Sequence, residues 1–366
     1  MSESTHHDVI VIGGGPAGST VARYAAANGA DVLVIDGRDP IGTPLQCGEL
    51  VPSNAEMQRL CPNVPDMDDL FQTPEKAISQ RSTTMHIVPP SGKPLKYAFE
   101  GLVLNRVTHD EALVELAKES GAKYLVNSHV DRVDDNSVVL RNGSTYSAKI
   151  IVGAGGHNDP LRRDYWNESS LKIPVKFVLM EGDFDDAVEL HFGSMAPGGY
   201  AWMFPKSSGA NIGLGIQRRF AKGRSLNQYA EAFISKYDGE ISFNGAGSLP
   251  MSGSIRNFVK GNYLLVGDAA GMVLPSNGAG ITIGMIGGRI AGQVISEHLT
   301  EGTPLIEYER RWDKQMGRVM RNSKRAFRFG NLMFRLPNWM LNMAFNPLTR
   351  GIIWRAVTCR RMFWLL

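Results

Sequence analysis

Val9-Ile10-Val11-Ile12-Gly13-Gly14-Gly15-Pro16-Ala17-Gly18 decides the fold of this 366-residue chain. Four apolar β-branched residues in a row fit a parallel strand covered on both faces. Gly13, Gly15 and Gly18 then match Gly-x-Gly-x-x-Gly, and residues 19–28 have the alanine-rich character of a helix that stops at Gly29. A second run, Val32-Leu33-Val34-Ile35, ends in Asp36, 23 residues after Gly13. The glycines permit a tight turn and let a pyrophosphate approach the backbone at the helix N-terminus, near Ala17. An acid closing the second strand is placed to accept hydrogen bonds from an adenosine ribose. Strand, glycines, helix, strand and acid in this order predict a dinucleotide-binding unit. A purely structural glycine turn leaves Asp36 unexplained.

Working outward, the same strand-into-glycine pattern recurs. A helix over 110–119 precedes β strands, and Lys149-Ile150-Ile151-Val152 runs into Gly153-Ala154-Gly155-Gly156. Tyr263-Leu264-Leu265-Val266 ends at Gly267-Asp268, and Gly278-Ala279-Gly280 opens a helix over about 281–298. The nucleotide unit is therefore discontinuous, with pieces at 1–70, 100–165 and 250–300. Between them, Val175, Phe177 and Leu179, then Val188, Leu190 and Phe192, then Ile212, Leu214 and Ile216 alternate as in an antiparallel sheet. That sheet, over 71–99 and 166–249, is the expected substrate layer. Residues 301–366 form a helical C-terminal region, and the whole is a mixed α/β (α+β) fold.

Composition narrows the classes. With 43% hydrophobic and 20% charged residues the chain is globular, which excludes a disordered or fibrous protein. Cys47, Cys61 and Cys359 are too scattered for a disulfide framework, a zinc site or an iron–sulfur cluster, and point to a reducing cytoplasm. No metal site is expected. Met1 to His7 is polar, with no secretory signal, and His6-His7 reads as a solvated tail. Residues 269–288 carry no charge, yet Pro275, Ser276, Asn277 and repeated glycines make them a ligand loop and helix start, not a membrane span.

The net charge of +3 conceals an asymmetry. Residues 310–366 hold 13 Lys and Arg against Asp313 alone, and the rest of the chain is net acidic. Trp312, Trp339, Trp354, Phe363, Trp364 and several Phe and Met residues crowd the same tail. Cations mixed with large apolar groups favour an anionic lipid surface over nucleic acid. A cytoplasmic protein in peripheral membrane contact through 310–366, with the three tryptophans at the lipid boundary, is the expectation.

Two further motifs carry a resemblance. The glycines at 13–18, Asp36, Gly267-Asp268 and the 278–280 glycines resemble the FAD-binding scaffold of the para-hydroxybenzoate hydroxylase type. Gly42-Thr43-Pro44-Leu45-Gln46-Cys47-Gly48-Glu49 resembles the Cys-Gly-Glu segment of the geranylgeranyl reductase family. Tyr200-Ala201-Trp202-Met203-Phe204-Pro205 resembles its Tyr-x-Trp-x-Phe-Pro signature. The likeness covers roughly 5–300 and is nearest the archaeal digeranylgeranylglycerophospholipid reductases, with Leu50 standing where those enzymes often have Gly.

The resemblance implies that FAD meets Gly13, Gly15, Ala17, Gly18 and Asp36, with Cys47, Gly48 and Leu50 beside the isoalloxazine. It implies further cofactor contacts at Arg106, Val130, Asp268, Gly280 and Ile281, and an isoprenoid pocket lined by Tyr200, Trp202 and Phe204. The implied reaction reduces isolated C=C bonds of geranylgeranyl chains in membrane ether-lipid precursors, with Cys47 as proton donor or relay and Glu49 assisting. The electron donor is external, and ferredoxin, reduced deazaflavin and NAD(P)H all stay open. The alternatives are a geranylgeranyl diphosphate reductase and a flavin-dependent aromatic monooxygenase of the same fold.

Overall fold

A computed structural model describes residues 5–168, 170–346 and 348–362; Phe363 and Trp364 of the aromatic tail lie outside them. Strand His6–Ile12 runs parallel to Val32–Ile35 on one side and Thr145–Gly153 on the other, with Ile10 opposite both Leu33 and Ile151. Lys123–Leu125 and Tyr263–Leu265 extend this sheet in parallel, and the hairpin of Val130–Asp134 and Ser137–Leu140 grows antiparallel from Thr145–Gly153. Val9 to Ile12, Val32 to Ile35 and Ile150 to Val152 are buried throughout, so an unbroken apolar run is what these strands need. His7 corrects one expectation. It pairs with Ala148 inside the first strand, buried, with Nδ1 2.9 Å from the Asp31 carboxylate, and is no solvated tail.

Helices Pro16–Ala26 and Ile281–Glu301 lie against each other. Gly284, Gly288 and Gly292 recur at four-residue spacing and so form one edge of the second helix. A Cβ added at Gly288 would stand 2.5 Å from the carbonyl oxygen of Ala17, and one at Gly292 would stand 2.7 Å from that of Val21. The contacts ascend together along both helices, so the helices are parallel. Both N-termini, at Gly15 and Gly280, therefore open at the same end, and two positive helix ends face one cavity.

The second sheet has eight strands, in the order Glu240–Pro250, Lys172–Glu181, Gly209–Gly215, Ala201–Lys206, Val188–His191, Ile78–Val88, Leu95–Leu104, Leu50–Pro52. It is the expected antiparallel layer, with one parallel pair between Val188–His191 and Ile78–Val88. Leu50–Pro52 and the end of Leu95–Leu104 cross into it from sequence grouped with the nucleotide unit. Side chains alternate along Ala201–Lys206: Met203 faces helix Leu226–Ile234, and Trp202 and Phe204 face the other way. Gly213, opposite Trp202, makes room for the indole, since a Cβ there would come within 2.6 Å of the ring.

Helices Glu307–Met333, Asn338–Ala344 and Arg350–Val357 follow among the described residues. The first buries Trp312, Met316 and Met320 at four-residue spacing in the core of the nucleotide unit. Trp354 stacks on Tyr97, with centroids 4.6 Å apart and planes 7° from parallel. Of the three tryptophans expected at a lipid boundary, Trp339 alone is exposed, at 64%. The helical period turns Trp312 inward, and an aromatic partner far away in sequence captures Trp354.

Candidate functional site

Where the two sheets meet, a cavity of about 620 Å³ is lined by Gly13, Gly15, Asp36, Arg106, Val130 and Asp268, among others. Gly13 holds φ +98°, and a Cβ at Gly18 would sit 1.9 Å from the Gly13 carbonyl oxygen, so this turn closes only with glycine. Gly15 differs: its backbone is ordinary, and an added Cβ would enter open cavity, 4.0 Å from the nearest atom on Arg38. Asp36 Oδ2 accepts the Gly14 N–H at 2.7 Å, and Arg38 forks onto both carboxylate oxygens at 2.8 and 2.9 Å. Burial pushes the Asp36 pKa up, and the Arg38 guanidinium and the Gly14 N–H outweigh it, so the carboxyl stays below its ordinary value.

Asp268 follows strand Tyr263–Leu265 and faces the same cavity near Gly280. No donor from another described residue reaches its carboxylate, and loss of water pushes its pKa up to about 6. A carboxylate aimed into a cavity without a protein partner, two helix N-termini and a glycine cradle fit FAD. The pyrophosphate would lie at Gly13–Gly18, the ribityl hydroxyls at Asp268, and the flavin pyrimidine edge at the Gly280–Ile281 helix start. Val130 stands beside His129 on the cavity wall, and His157 stands on the rim, with Nε2 3.1 Å from Ser248 Oγ.

A second, apolar cavity of about 170 Å³ adjoins the first, and Tyr200, Trp202, Phe204 and Leu50 line it. Cys47, Gly280 and Ile281 belong to both walls, so Cys47 stands at the junction. Gly48 allows this approach; a Cβ there would lie 3.0 Å from the Phe204 ring. The ring planes of Trp202 and Phe204 lie 22° apart with centroids 6.0 Å apart, and the Tyr200 hydroxyl donates to the Asn277 carbonyl. Burial of that hydroxyl raises its pKa well above the ordinary tyrosine value.

The Cys47 loop is held from several sides. Glu49 N–H donates to Cys47 Sγ at 3.1 Å, and the positive charge of Arg106 acts on the same sulfur. Arg106 in turn forks onto Asp110 at 2.8 and 3.1 Å. Burial opposes the Arg106 cation, but the Asp110 carboxylate and Cys47 together raise its pKa. Glu49 is 2% exposed, and its carboxylate accepts from Lys206 Nζ at 2.9 Å, Asn211 Nδ2 at 3.1 Å and Arg106 N–H at 3.3 Å. The last bond caps helix Arg106–Glu119, which therefore starts four residues before the expected 110.

Asn211, Lys206, Asp110 and Arg38 escape the sequence reading. Lys206 directly follows the Tyr-x-Trp-x-Phe-Pro signature, and continuing that motif by one residue finds it. Asn211 carries no local signal; only the pairing of Gly209–Gly215 with Ala201–Lys206 brings it to the site.

A doubly wound nucleotide unit joined to an antiparallel layer, with a glycine cradle and an apolar pocket meeting at one cysteine, defines an FAD-dependent oxidoreductase. The family profile described as FAD dependent oxidoreductase matches residues 8–60, and that described as Geranylgeranyl reductase catalytic domain matches residues 171–246. A digeranylgeranylglycerophospholipid reductase of Methanococcoides burtonii is 32% identical over 345 residues, covering 87% of this chain and 82% of the relative. One from Methanosarcina acetivorans is 33% identical, covering 85% and 81%. The solved structure of a geranylgeranyl bacteriochlorophyll reductase-like protein from Thermoplasma acidophilum superposes with a TM-score of 0.82 at 27% identity, covering 94% of this chain and 91% of that one. The chain belongs to the geranylgeranyl reductase family of flavoproteins.

Proposed function

We propose that the chain saturates isolated C=C bonds in the geranylgeranyl chains of archaeal ether-phospholipid precursors. The observation that carries this reading is Cys47 at the junction of a polar, FAD-fitting cavity and an apolar, aromatic-lined one. Bound FAD, once reduced, supplies a hydride equivalent to one alkene carbon. The chain must place the alkene, keep water away and deliver a proton to the other carbon. An unactivated alkene offers no carbonyl to polarise, so positioning carries most of the catalysis. Tyr200, Trp202 and Phe204 hold the isoprenoid chain along the apolar wall.

Cys47 donates the proton from Sγ. The Glu49 N–H on its sulfur and the positive charge of Arg106 stabilise the thiolate left behind. Glu49 acts by position: with three donors on its carboxylate, it fixes the Cys47 loop and does not relay the proton. Reducing electrons come from an external carrier of the ferredoxin, deazaflavin or nicotinamide class.

A substrate with two long chains leaves a bilayer only at large hydrophobic cost. The enzyme therefore works at the membrane surface, through the basic C-terminal helices. Among the described residues no helix is long and apolar enough to cross a membrane. The test is to incubate the reduced holoenzyme with a digeranylgeranylglycerophospholipid in mixed micelles and weigh the product. Two hydrogens gained per double bond support the reading; oxygen gained on an aromatic substrate supports the monooxygenase instead.

A further inference from the structure

The sheet supplies only part of the wall of the apolar cavity. Trp354 and Val357, three residues apart on one face of helix Arg350–Val357, line it together with Met85, Phe99 and Leu190 of the sheet. The C-terminal helix is therefore a wall of the pocket as well as a surface element.

Trp354 stands at the end of the cavity away from Cys47. The Leu104 N–H donates to the Glu49 carbonyl at 3.0 Å, so that end of strand Leu95–Leu104 lies at the Cys47 loop. Tyr97 stands seven residues back along the same strand, about 20 Å away at ~3.3 Å per residue. The Trp354 indole stacks on the Tyr97 ring with centroids 4.6 Å apart, and it meets Phe99 edge-on at 6.4 Å. Across the sheet, Val188–His191 and Ile78–Val88 separate Leu95–Leu104 from Ala201–Lys206, whose Phe204 ring meets Gly48.

The helix that carries Trp354 is pinned at both ends. The Tyr97 hydroxyl donates to the Arg350 carbonyl at 2.9 Å, and the Arg350 guanidinium donates to the Lys96 carbonyl at 3.0 Å. At the other end the Asn277 side-chain amide donates to the Val357 carbonyl at 2.9 Å, and the Asn277 carbonyl accepts the Tyr200 hydroxyl. An indole stacked on one ring, edge-on to another and carried by a fixed helix swings aside only by losing these contacts. It is an end wall.

The chemistry of the substrate gives that wall a consequence. A phosphate head group stays out of a cavity lined by aromatic and aliphatic side chains, because an unpaired charge is too costly to bury there. The hydrocarbon tail enters instead. The double bond nearest the head group then meets Cys47 only when the rest of the chain lies beyond it, toward Trp354. The distance from Cys47 to the end wall caps the length of that remainder.

We propose that Trp354 is a specificity-determining residue, which ends the apolar cavity and sets the longest isoprenoid chain whose head-proximal double bond reaches Cys47. This rests on the reading of the chain as a reductase of geranylgeranyl lipids, and it names the group that selects among such lipids by length.

The test offers the chemically reduced holoenzyme a digeranylgeranylglycerophospholipid and a matched lipid whose chains are one isoprene unit longer, both in mixed micelles. Fragment masses report hydrogen gained at the double bond nearest the head group. The native protein should reduce that bond about thirtyfold or more slowly in the longer chain, since a closed apolar pocket discriminates strongly over a few carbons. Trp354→Ala should bring the two rates within about threefold, and Trp354→Phe, which keeps a ring against Tyr97, should lie between. Only the ratio within each variant is read, so a general loss of rate does not enter. Flavin content and melting temperature show that a variant is folded; if Trp354→Ala is not, Trp354→Leu takes its place with the same expected direction. A native ratio in the folded variant overturns the end wall and leaves the reductase reading standing. Equal rates on the two chains in the native protein overturn it as well. No hydrogen gained on either lipid by the native protein overturns both.

Discussion

The side-chain amide nitrogen of Asn211 lies 2.9 Å from the carbonyl oxygen of Cys47. The same nitrogen donates to Glu49 at 3.1 Å, and Asn211 Oδ1 accepts the Trp202 indole N–H at 2.9 Å. One wholly buried residue thus ties the Cys47 loop to the aromatic wall of the apolar cavity. Asn211→Leu removes those bonds and leaves buried acceptors unpaired, at a cost of about 1–3 kcal/mol for each such group. The expected outcome is a lower melting temperature and a fall in kcat larger than any change in KM, with FAD still bound.

Glu49 stands at φ +71°, a left-handed conformation that a residue with a side chain keeps only where its surroundings impose it. Lys206 Nζ, bonded to Glu49 and to the Leu104 carbonyl, is part of what imposes it. Lys206→Met leaves a carboxylate with 3% side-chain exposure without its countercharge and should destabilise the fold by about 3–5 kcal/mol. Lys206→Met/Glu49→Gln should recover most of that loss in denaturant unfolding. A double variant as unstable as the single one would mean that the pair is not the source.

Two glycines separate folding from cofactor binding. A side chain at Gly15 enters the cavity and touches little of the protein, whereas a methyl at Gly288 strikes Ala17. Gly15→Val should release FAD on gel filtration while the apoprotein melts as before. Gly288→Ala forces two packed helices apart and should cost about 1–3 kcal/mol of stability in the apoprotein itself.

Asp268 gives the apoprotein a pH dependence. Its folded pKa of about 6 lies above the ordinary carboxylate value of 3.8, so between these limits the folded state binds more protons than the unfolded one. Stability from this group therefore falls as pH rises from about 4 to 6, by about 3 kcal/mol at most. Asp268→Asn should flatten that slope in apoprotein unfolding curves and weaken FAD binding at pH 7.

How much of this the sequence discloses follows from what is local. The strand-glycine-helix-strand order, Asp36 and the late Gly267-Asp268 are contiguous signals, and the cavity they promise is present. The alternation of Trp202 and Phe204 with Met203 is equally local and places the apolar wall. Asn211 and the Glu49 cap on helix Arg106–Glu119 are invisible beforehand because each depends on a partner strand or loop far along the chain. The tail misleads for a related reason. Its charge was legible, but burial of Trp312 and stacking of Trp354 on Tyr97 depend on tertiary partners.

Cys47 carries the central claim, and single-turnover reduction by a chemically reduced holoenzyme tests it most directly. The readout is the mass of the added digeranylgeranylglycerophospholipid followed over time. The native protein should add two hydrogens per double bond. Cys47→Ala, with its flavin spectrum intact, should slow that step about a hundredfold or more, and Cys47→Ser should restore part of the rate. A native rate in Cys47→Ala would contradict the account.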